Sequence, residues 1–267
     1  MILKKRKVGE GMLDKSSPVG VLDSGVGGIS VLRELVKLMP EENYLYYGDS
    51  ANAPYGEKTT AQVRQLTMDA AQLLVQRGVK VLVVACNTAT SAAIQDLREK
   101  YPDMIVVGIE PALKVAADRF PGGKVGVMAT SVTLREEKFH QQAERFDNVQ
   151  VFPIPAPGLV EQIEQGKVQE QDTYNLLEKL LGEYKGKLDA LVLGCTHYPF
   201  AAKMIAEILG PETVLLDGGA GTARQTKRCL EAAGLLNPGP GSVTIENSSG
   251  EKQLVTLCME LLNQEEL

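Results

Sequence analysis

Short aliphatic and β-branched runs alternate along the chain with longer stretches whose apolar residues recur every three or four positions. The runs fall at 19–22, 44–47, 79–85, 105–109, 125–129, 149–154, 188–194 and 214–217. Runs of this length and composition predict strands of a buried parallel sheet. Between them Ile29, Leu32, Leu35, Val36 and Met39 recur at helical spacing, as do Leu66, Ala70, Leu73 and Leu74. These stripes predict helices packed on the sheet. The whole rhythm is that of parallel βα units and an α/β fold.

One stretch occurs twice. Lys80-Val81-Leu82-Val83-Val84-Ala85-Cys86-Asn87-Thr88 lines up with Asp189-Ala190-Leu191-Val192-Leu193-Gly194-Cys195-Thr196-His197. Each is an apolar strand ending in a small residue, a cysteine and short polar residues. Two similar half-molecules follow. A weaker echo relates Leu22-Asp23-Ser24-Gly25-Val26-Gly27 to Leu216-Asp217-Gly218-Gly219-Ala220-Gly221. Pro111 and the break Phe120-Pro121-Gly122-Gly123 mark a boundary region near residue 108, and a second is expected near 217. The expected organisation is one domain of residues 18–107 plus 217–267, a second of 108–216, and a flexible tail over 1–17.

Composition narrows the function. With 44% hydrophobic and 23% charged residues in 267, the chain is an ordinary globular protein. A net charge of -6 excludes a broad nucleic-acid surface, which needs clustered Lys and Arg. No apolar run approaches the roughly 20 residues needed to span a bilayer. The basic start, Met1 to Lys7, lacks the apolar segment of a secretory signal. Cys86, Cys195, Cys229 and Cys258 lie far apart with no C-x-x-C pairing, which predicts free thiols in a reducing cytoplasm.

Ligands of parallel α/β sheets bind beyond the carboxyl ends of the strands, and the polar motifs gather there: Asp23-Ser24-Gly25-Val26-Gly27-Gly28, Gly48-Asp49 leading to Pro54-Tyr55-Gly56, Cys86-Asn87-Thr88, Thr130 with Thr133, and Cys195-Thr196-His197. A thiol at a helix N-terminus is favoured as thiolate, and Cys86 and Cys195 are both expected in that position. A lone free cysteine usually fills a core; a matched pair after matched strands points to chemistry. Cys229 and Cys258 lack such neighbours and are expected to pack. Asp23 is placed to accept a proton or hold an ammonium group, or to cap a helix. His197, two residues from a thiol, is placed to shuttle its proton, whereas His140 lies on a charged helical stretch and is expected in solvent. The glycine turn gives G-x-G-x-x-S with Ser30 where a dinucleotide fingerprint wants Gly or Ala. A zinc site from Cys86, Cys195 and His197 matches no common ligand spacing. Both readings are set aside, and no metal or organic cofactor is expected.

These blocks together resemble the glutamate racemases of the aspartate/glutamate racemase superfamily, over about residues 19–236. The motifs that carry the resemblance are Leu22-Asp23-Ser24-Gly25-Val26-Gly27-Gly28, Gly48-Asp49-Ser50-Ala51 with Pro54-Tyr55-Gly56, Ala85-Cys86-Asn87-Thr88-Ala89, and Gly194-Cys195-Thr196-His197-Tyr198-Pro199. The resemblance implies two similar α/β domains with the active site between them, often in a homodimer, and interconversion of L- and D-glutamate for peptidoglycan synthesis. It implies that Cys86 and Cys195 act as opposed acid and base, assisted by Asp23 and His197. By the same resemblance Ser24, Tyr55, Gly56, Asn87, Thr88, Thr130, Thr133, Thr196 and His197 contact substrate. Glu136 stands where the family commonly has Ser. Glu161 and Glu164 lie near a family segment that includes a functional glutamate, and Glu164 aligns better. Racemisation needs acid and base on opposite faces of one carbon, so the sulfurs are expected roughly 6–7 Å apart with substrate bound.

Overall fold

A computed structural model describes residues 7–8, 11–12, 14–135 and 137–264. Glu136 and most of the first 13 residues, on which the expected tail largely falls, lie outside the described residues. Strands β1 (Lys7–Val8) and β2 (Gly11–Met12) pair antiparallel with each other. The parallel strands follow: β3 (Val19–Asp23), β4 (Asn43–Gly48), β5 (Val81–Val84), β6 (Ile105–Gly108), β7 (Lys124–Ala129), β8 (Gln150–Pro155), β9 (Ala190–Leu193), β10 (Val214–Leu216) and β11 (Ser242–Asn247). The first eight of these nine sit on the apolar runs of the sequence. β11 was not anticipated: it reads Ser-Val-Thr-Ile-Glu-Asn, and as an edge strand it needs no continuous apolar surface.

The strands form two separate sheets. One has the order β11-β4-β3-β5-β6 and the other β10-β9-β7-β8. Apart from the added edge strand β11, the two have one plan. A first strand, β3 or β7, is flanked by the second strand on one side and the cysteine-bearing third on the other, and the fourth lies outermost. β5 and β9, which carry the strong echo, therefore occupy equivalent positions. The weaker echo does not follow the topology: β10 is equivalent to β6, and the counterpart of β3 is β7.

Helices cover both sheets because their apolar faces must be buried. Helices Thr60–Gln76 and Asn87–Lys100 pack together on one face of the first sheet. Thr59 caps the first of them in a reciprocal capping box with Gln62, which satisfies two backbone groups at once. Helix Ala112–Arg119 covers one face of the second sheet. The inner faces of both sheets share a core that includes Val21, Ile29, Val83, Met128, Leu159, Leu191 and Tyr198. After β10 the chain returns through helix Gly219–Ala233, packed against helix Ile29–Leu38, before adding β11 beside β4. The two crossings are joined where Glu110 N–H donates to the buried Thr222 Oγ1 at 3.0 Å. A Cβ on Gly218 would run into the Glu110 carbonyl, so the crossing needs glycine there.

At the amino ends of the strands a buried ion pair ties distant segments together. Lys80 Nζ lies 2.6 Å from Glu42 Oε2, and both side chains are essentially without solvent exposure. Lys80 also donates to the carbonyls of Lys15 and Leu235, and Glu42 Oε1 accepts from Asn237 N–H at 2.8 Å. Removing one member of such a pair strands a charge. Lys80→Met is expected to lower unfolding free energy by about 3–5 kcal/mol in urea denaturation, with Glu42→Leu in the same chain restoring part of the loss. A cost below about 1 kcal/mol for Lys80→Met would show that the pair does not hold these segments.

Candidate active site

Four equivalent strand ends converge. Asp23 and Ser24 follow β3, Cys86 to Thr88 follow β5, Thr130 to Thr133 follow β7, and Cys195 to His197 follow β9. A single cavity is lined by Ser24, Tyr55, Gly56, Cys86, Asn87, Thr88, Thr130, Cys195, Thr196 and His197, together with Pro54 and Val160. Its volume of about 20 Å³ holds little more than one water. An adjoining cavity of about 160 Å³ shares Pro54, Gly56, Thr130 and Val160 with it and extends past Arg135 and Glu161. Asp23 lies fully buried behind the lining, and Thr133 enters through its neighbours.

Cys86 caps helix Asn87–Lys100, and the Ala89 N–H donates to its sulfur at 3.4 Å. The thiol is also 3.6 Å from Ser24 Oγ. The position agrees with expectation, but the charge state does not. Burial pushes the Cys86 thiol up to about 12, reinforced by the nearby Asp23 carboxylate, and the helix amide and Ser24 offset only part of this. A helix N-terminus contributes up to about 2 kcal/mol, whereas desolvating a charge costs several, so burial keeps Cys86 protonated. The expectation for Cys195 is corrected in geometry. No α-helix begins at Cys195: residues 195–197 form a bend and turn, and a short 3₁₀ turn, Tyr198–Ala201, intervenes before helix Ala202–Leu209. Pro199 in that turn lacks the N–H a helix would use, and Tyr198 N–H bonds back to the Cys195 carbonyl.

Instead of helix amides, Cys195 has a histidine. His197 Nδ1 lies 3.6 Å from Cys195 Sγ, and its Nε2 is 2.7 Å from Glu164 Oε1. Burial alone would drive the imidazole neutral, but the hydrogen bonds and fields of Cys195 and Glu164 outweigh it and raise its pKa well above the usual histidine value. A charged ring donates from both nitrogens, which fits an acceptor on each side. Glu164 also accepts from Val26 N–H at 2.9 Å. Among the two glutamates the sequence raised, Glu164 joins the site directly, and Glu161 faces the adjoining cavity.

Asp23 is oriented by two donors: Gly25 N–H to Oδ1 and Thr196 Oγ1 to Oδ2, both at 3.0 Å. Burial raises its pKa, against the opposing field of His197. The glycines beside it are required by contact. A Cβ on Gly25 would overlap the Glu164 carboxylate, and one on Gly27 would overlap the His197 ring and the Thr196 hydroxyl. Tyr55 OH donates to the buried Asp49 at 2.7 Å, which gives the Gly48-Asp49 motif its place. Thr88, Thr130 and Thr133 form a hydroxyl cluster across the two sheets, with separations of 3.0 to 3.4 Å. Gly56 lies against Thr130, where a Cβ would collide.

His140 is exposed, Cys258 is buried in the core and Cys229 packs beside it. Two contributors carried no clear signal in the sequence. Val160 lines the cavity from helix Leu159–Glu164, and Ser30, two residues past the last glycine of the turn, bonds to the Thr196 carbonyl. Among the described residues no group of three His, Cys, Asp or Glu side chains is arranged to hold a metal, and no helix is long and apolar enough to cross a membrane.

The fold and sequence have close counterparts. Glutamate racemase of Clostridium perfringens is 45% identical over 252 residues, covering 93% of this chain and 97% of that one. Glutamate racemase of Clostridium botulinum is 47% identical over 250 residues, covering 92% and 97%. The crystal structure of glutamate racemase from Thermus thermophilus in complex with β-chloro-D-alanine superposes with a TM-score of 0.81 at 38% identity, covering 94% of each chain. Residues 19–226 match the model of the Asp/Glu/Hydantoin racemase family. This two-domain α/β chain, with paired thiols at equivalent strand ends, belongs to that family of isomerases.

Proposed function

We propose that the chain interconverts L- and D-glutamate, with Cys86 and Cys195 as the two proton-transfer groups. The observation that carries the reading is that both sulfurs, one from each sheet, line the same cavity. Two relatives of this length and identity bear the name glutamate racemase, which favours glutamate over aspartate as substrate. Residues 18–107 with 217–267 are proposed as one domain and 108–216 as the other; the split into two sheets and the two joined crossings support it.

Cys195, whose sulfur lies 3.6 Å from His197 Nδ1, takes the α-proton. Cys86, protonated in its buried setting, donates to the opposite face. The reverse direction exchanges the roles, with the Ala89 amide and Ser24 hydroxyl steadying Cys86 once it is anionic. No Lys or Arg lines the thiol cavity. The substrate carboxylates are therefore assigned to the hydroxyls and amides of Ser24, Asn87, Thr88, Thr130, Thr133 and Thr196, with Tyr55 and Gly56 closing one wall. Asp23, behind the lining, assists through its field on Cys86 and its hold on Thr196. Without an electron sink, hydrogen bonds that strengthen as charge develops on the α-carboxylate lower the barrier.

The thiol cavity by itself is smaller than an amino acid, so substrate entry requires its lining to shift, most directly toward the adjoining cavity that shares Pro54, Gly56, Thr130 and Val160. The Thr88, Thr130 and Thr133 contacts across the sheets are exchanged for substrate contacts when this happens. The free thiols support a cytoplasmic setting, and supply of D-glutamate to peptidoglycan and a homodimeric state complete the proposal. The acidic net charge supports a role without nucleic acid.

Incubation with L-glutamate in deuterated water should give D-glutamate carrying deuterium at Cα, with far slower turnover of aspartate. Cys86→Ala and Cys195→Ala should each lower racemisation by at least about 10³-fold, the upper range for loss of an acid or base. Normal racemisation by either variant would exclude the two-thiol scheme. Because His197 is raised well above 6.5, its charge persists through neutrality and disappears only as pH climbs through the raised value. The kcat/KM profile should therefore show no inflection between about pH 6 and 7. A break there that vanishes in His197→Asn would assign the ring an ordinary pKa and overturn its proposed charge.

A further inference from the structure

We propose that Ser30 is a positioning residue for Cys195, acting through the Thr196 carbonyl across the domain boundary. The inference rests on the two-thiol reading above and extends it. Ser30 lies in the first turn of helix Ile29–Leu38, and its Oγ donates to the Thr196 carbonyl at 2.8 Å. A serine in a helix commonly turns its hydroxyl back onto a carbonyl of the preceding turn. Here the hydroxyl reaches instead to a loop of the other sheet, 166 residues away in sequence.

That loop needs an external hold. It carries Cys195 without helical structure, and its own sheet anchors it at one edge, through Gly194 N–H to the Met128 carbonyl, while Tyr198 N–H to the Cys195 carbonyl only closes the turn on itself. Between those points the side chains of Thr196 and His197 are engaged by Asp23 and Glu164. Ser30 fixes the next peptide, the one between Thr196 and His197. That peptide lies one residue beyond Cys195 and carries the ring that faces its sulfur, so its orientation bears on where sulfur and imidazole stand relative to the substrate carbon. Ser30 does not line the thiol cavity. It faces a separate cavity of about 320 Å³ on the far side of the loop, with Pro199, Phe200 and Asp217. It touches no substrate, so its loss should affect the rate of proton transfer and leave binding nearly intact.

Ser30→Ala and Ser30→Thr in the full chain test this. The alanine variant should keep the wild-type melting temperature within a few degrees and KM within about twofold, while kcat falls about tenfold, less than the hundredfold cost of a full ångström of misplacement. The isotope effect on kcat with α-deuterated glutamate should rise as proton transfer becomes slower relative to product release. The threonine variant keeps the hydroxyl, has the neighbouring cavity to receive its methyl group, and should return kcat to within about twofold of wild type. Unchanged kcat and isotope effect in Ser30→Ala would overturn the proposal, as would equal impairment of both variants. If Ser30→Ala does not fold, Ser30→Cys, the same shape but slightly larger and a weaker donor, with the neighbouring cavity to take the extra size, should be folded and slowed, and normal kcat in it would overturn the proposal. Wild-type protein inert toward glutamate would instead refute the functional reading itself.

Discussion

Two sheets of one plan direct their equivalent strand ends into one space, and the rest of the site depends on that convergence. β3 and β7 deliver Asp23 and Thr130; β5 and β9 deliver the two cysteines. A reaction that needs an acid on one face of a carbon and a base on the other is met most directly by a duplicated scaffold folded against itself. The cross-sheet hydrogen bonds among Asp23, Thr196 and the threonine cluster hold this convergence together. The bonds among the threonine hydroxyls are worth only about 0.5–1.5 kcal/mol net each; the shared apolar core and the Val26 N–H bond to the Glu164 carboxylate join the two sheets besides.

The two thiols are equivalent in topology but not in electrostatics. Cys86 has a helix N-terminus and a buried carboxylate nearby; Cys195 has a protonated histidine and no helix. Burial holds Cys86 protonated, while Cys195 has an imidazole within reach of its sulfur. Under the proposed scheme this leaves Cys86 ready to act as the proton donor. His197 can hold its charge because Glu164, fixed in turn by the Val26 amide, lies on its far side. The glycines at 25 and 27 are what let that carboxylate and ring come so near the turn.

The sequence disclosed what local pattern controls and hid what depends on distant partners. Eight strands were legible because buried parallel strands are continuously apolar, while β11 escaped because an edge strand of Ser, Thr, Glu and Asn carries no such run. The cysteine pair was legible through its repeated strand context. The missing helix at Cys195 was not, since the apolar Tyr-Pro-Phe-Ala stretch looks helical until Pro199 and the Tyr198 turn are placed together. Ser30 and the Lys80–Glu42 pair were invisible for another reason. Their meaning lies in partners 166 and 38 positions away in sequence, and nothing in the flanking residues records the meeting.

The weaker sequence echo shows how local chemistry can imitate descent. Asp23 Oδ1 accepts from Gly25 N–H at 3.0 Å, and Asp217 Oδ1 accepts from Gly219 N–H at 2.6 Å. The same Asp-x-Gly turn thus ends a strand in both places, as such a side chain is suited to do, but it runs straight into a helix only at Gly219. Yet β3 and β10 are not counterparts, and the environments differ: Asp23 is fully buried beside the thiols, whereas Asp217 is exposed at the returning crossing. The turn explains the residues, and position in the sheet decides what they do. The second sheet closes over Asp23 and not over Asp217, which is why burial raises the pKa of Asp23 and why it has a Thr196 partner from across the cleft.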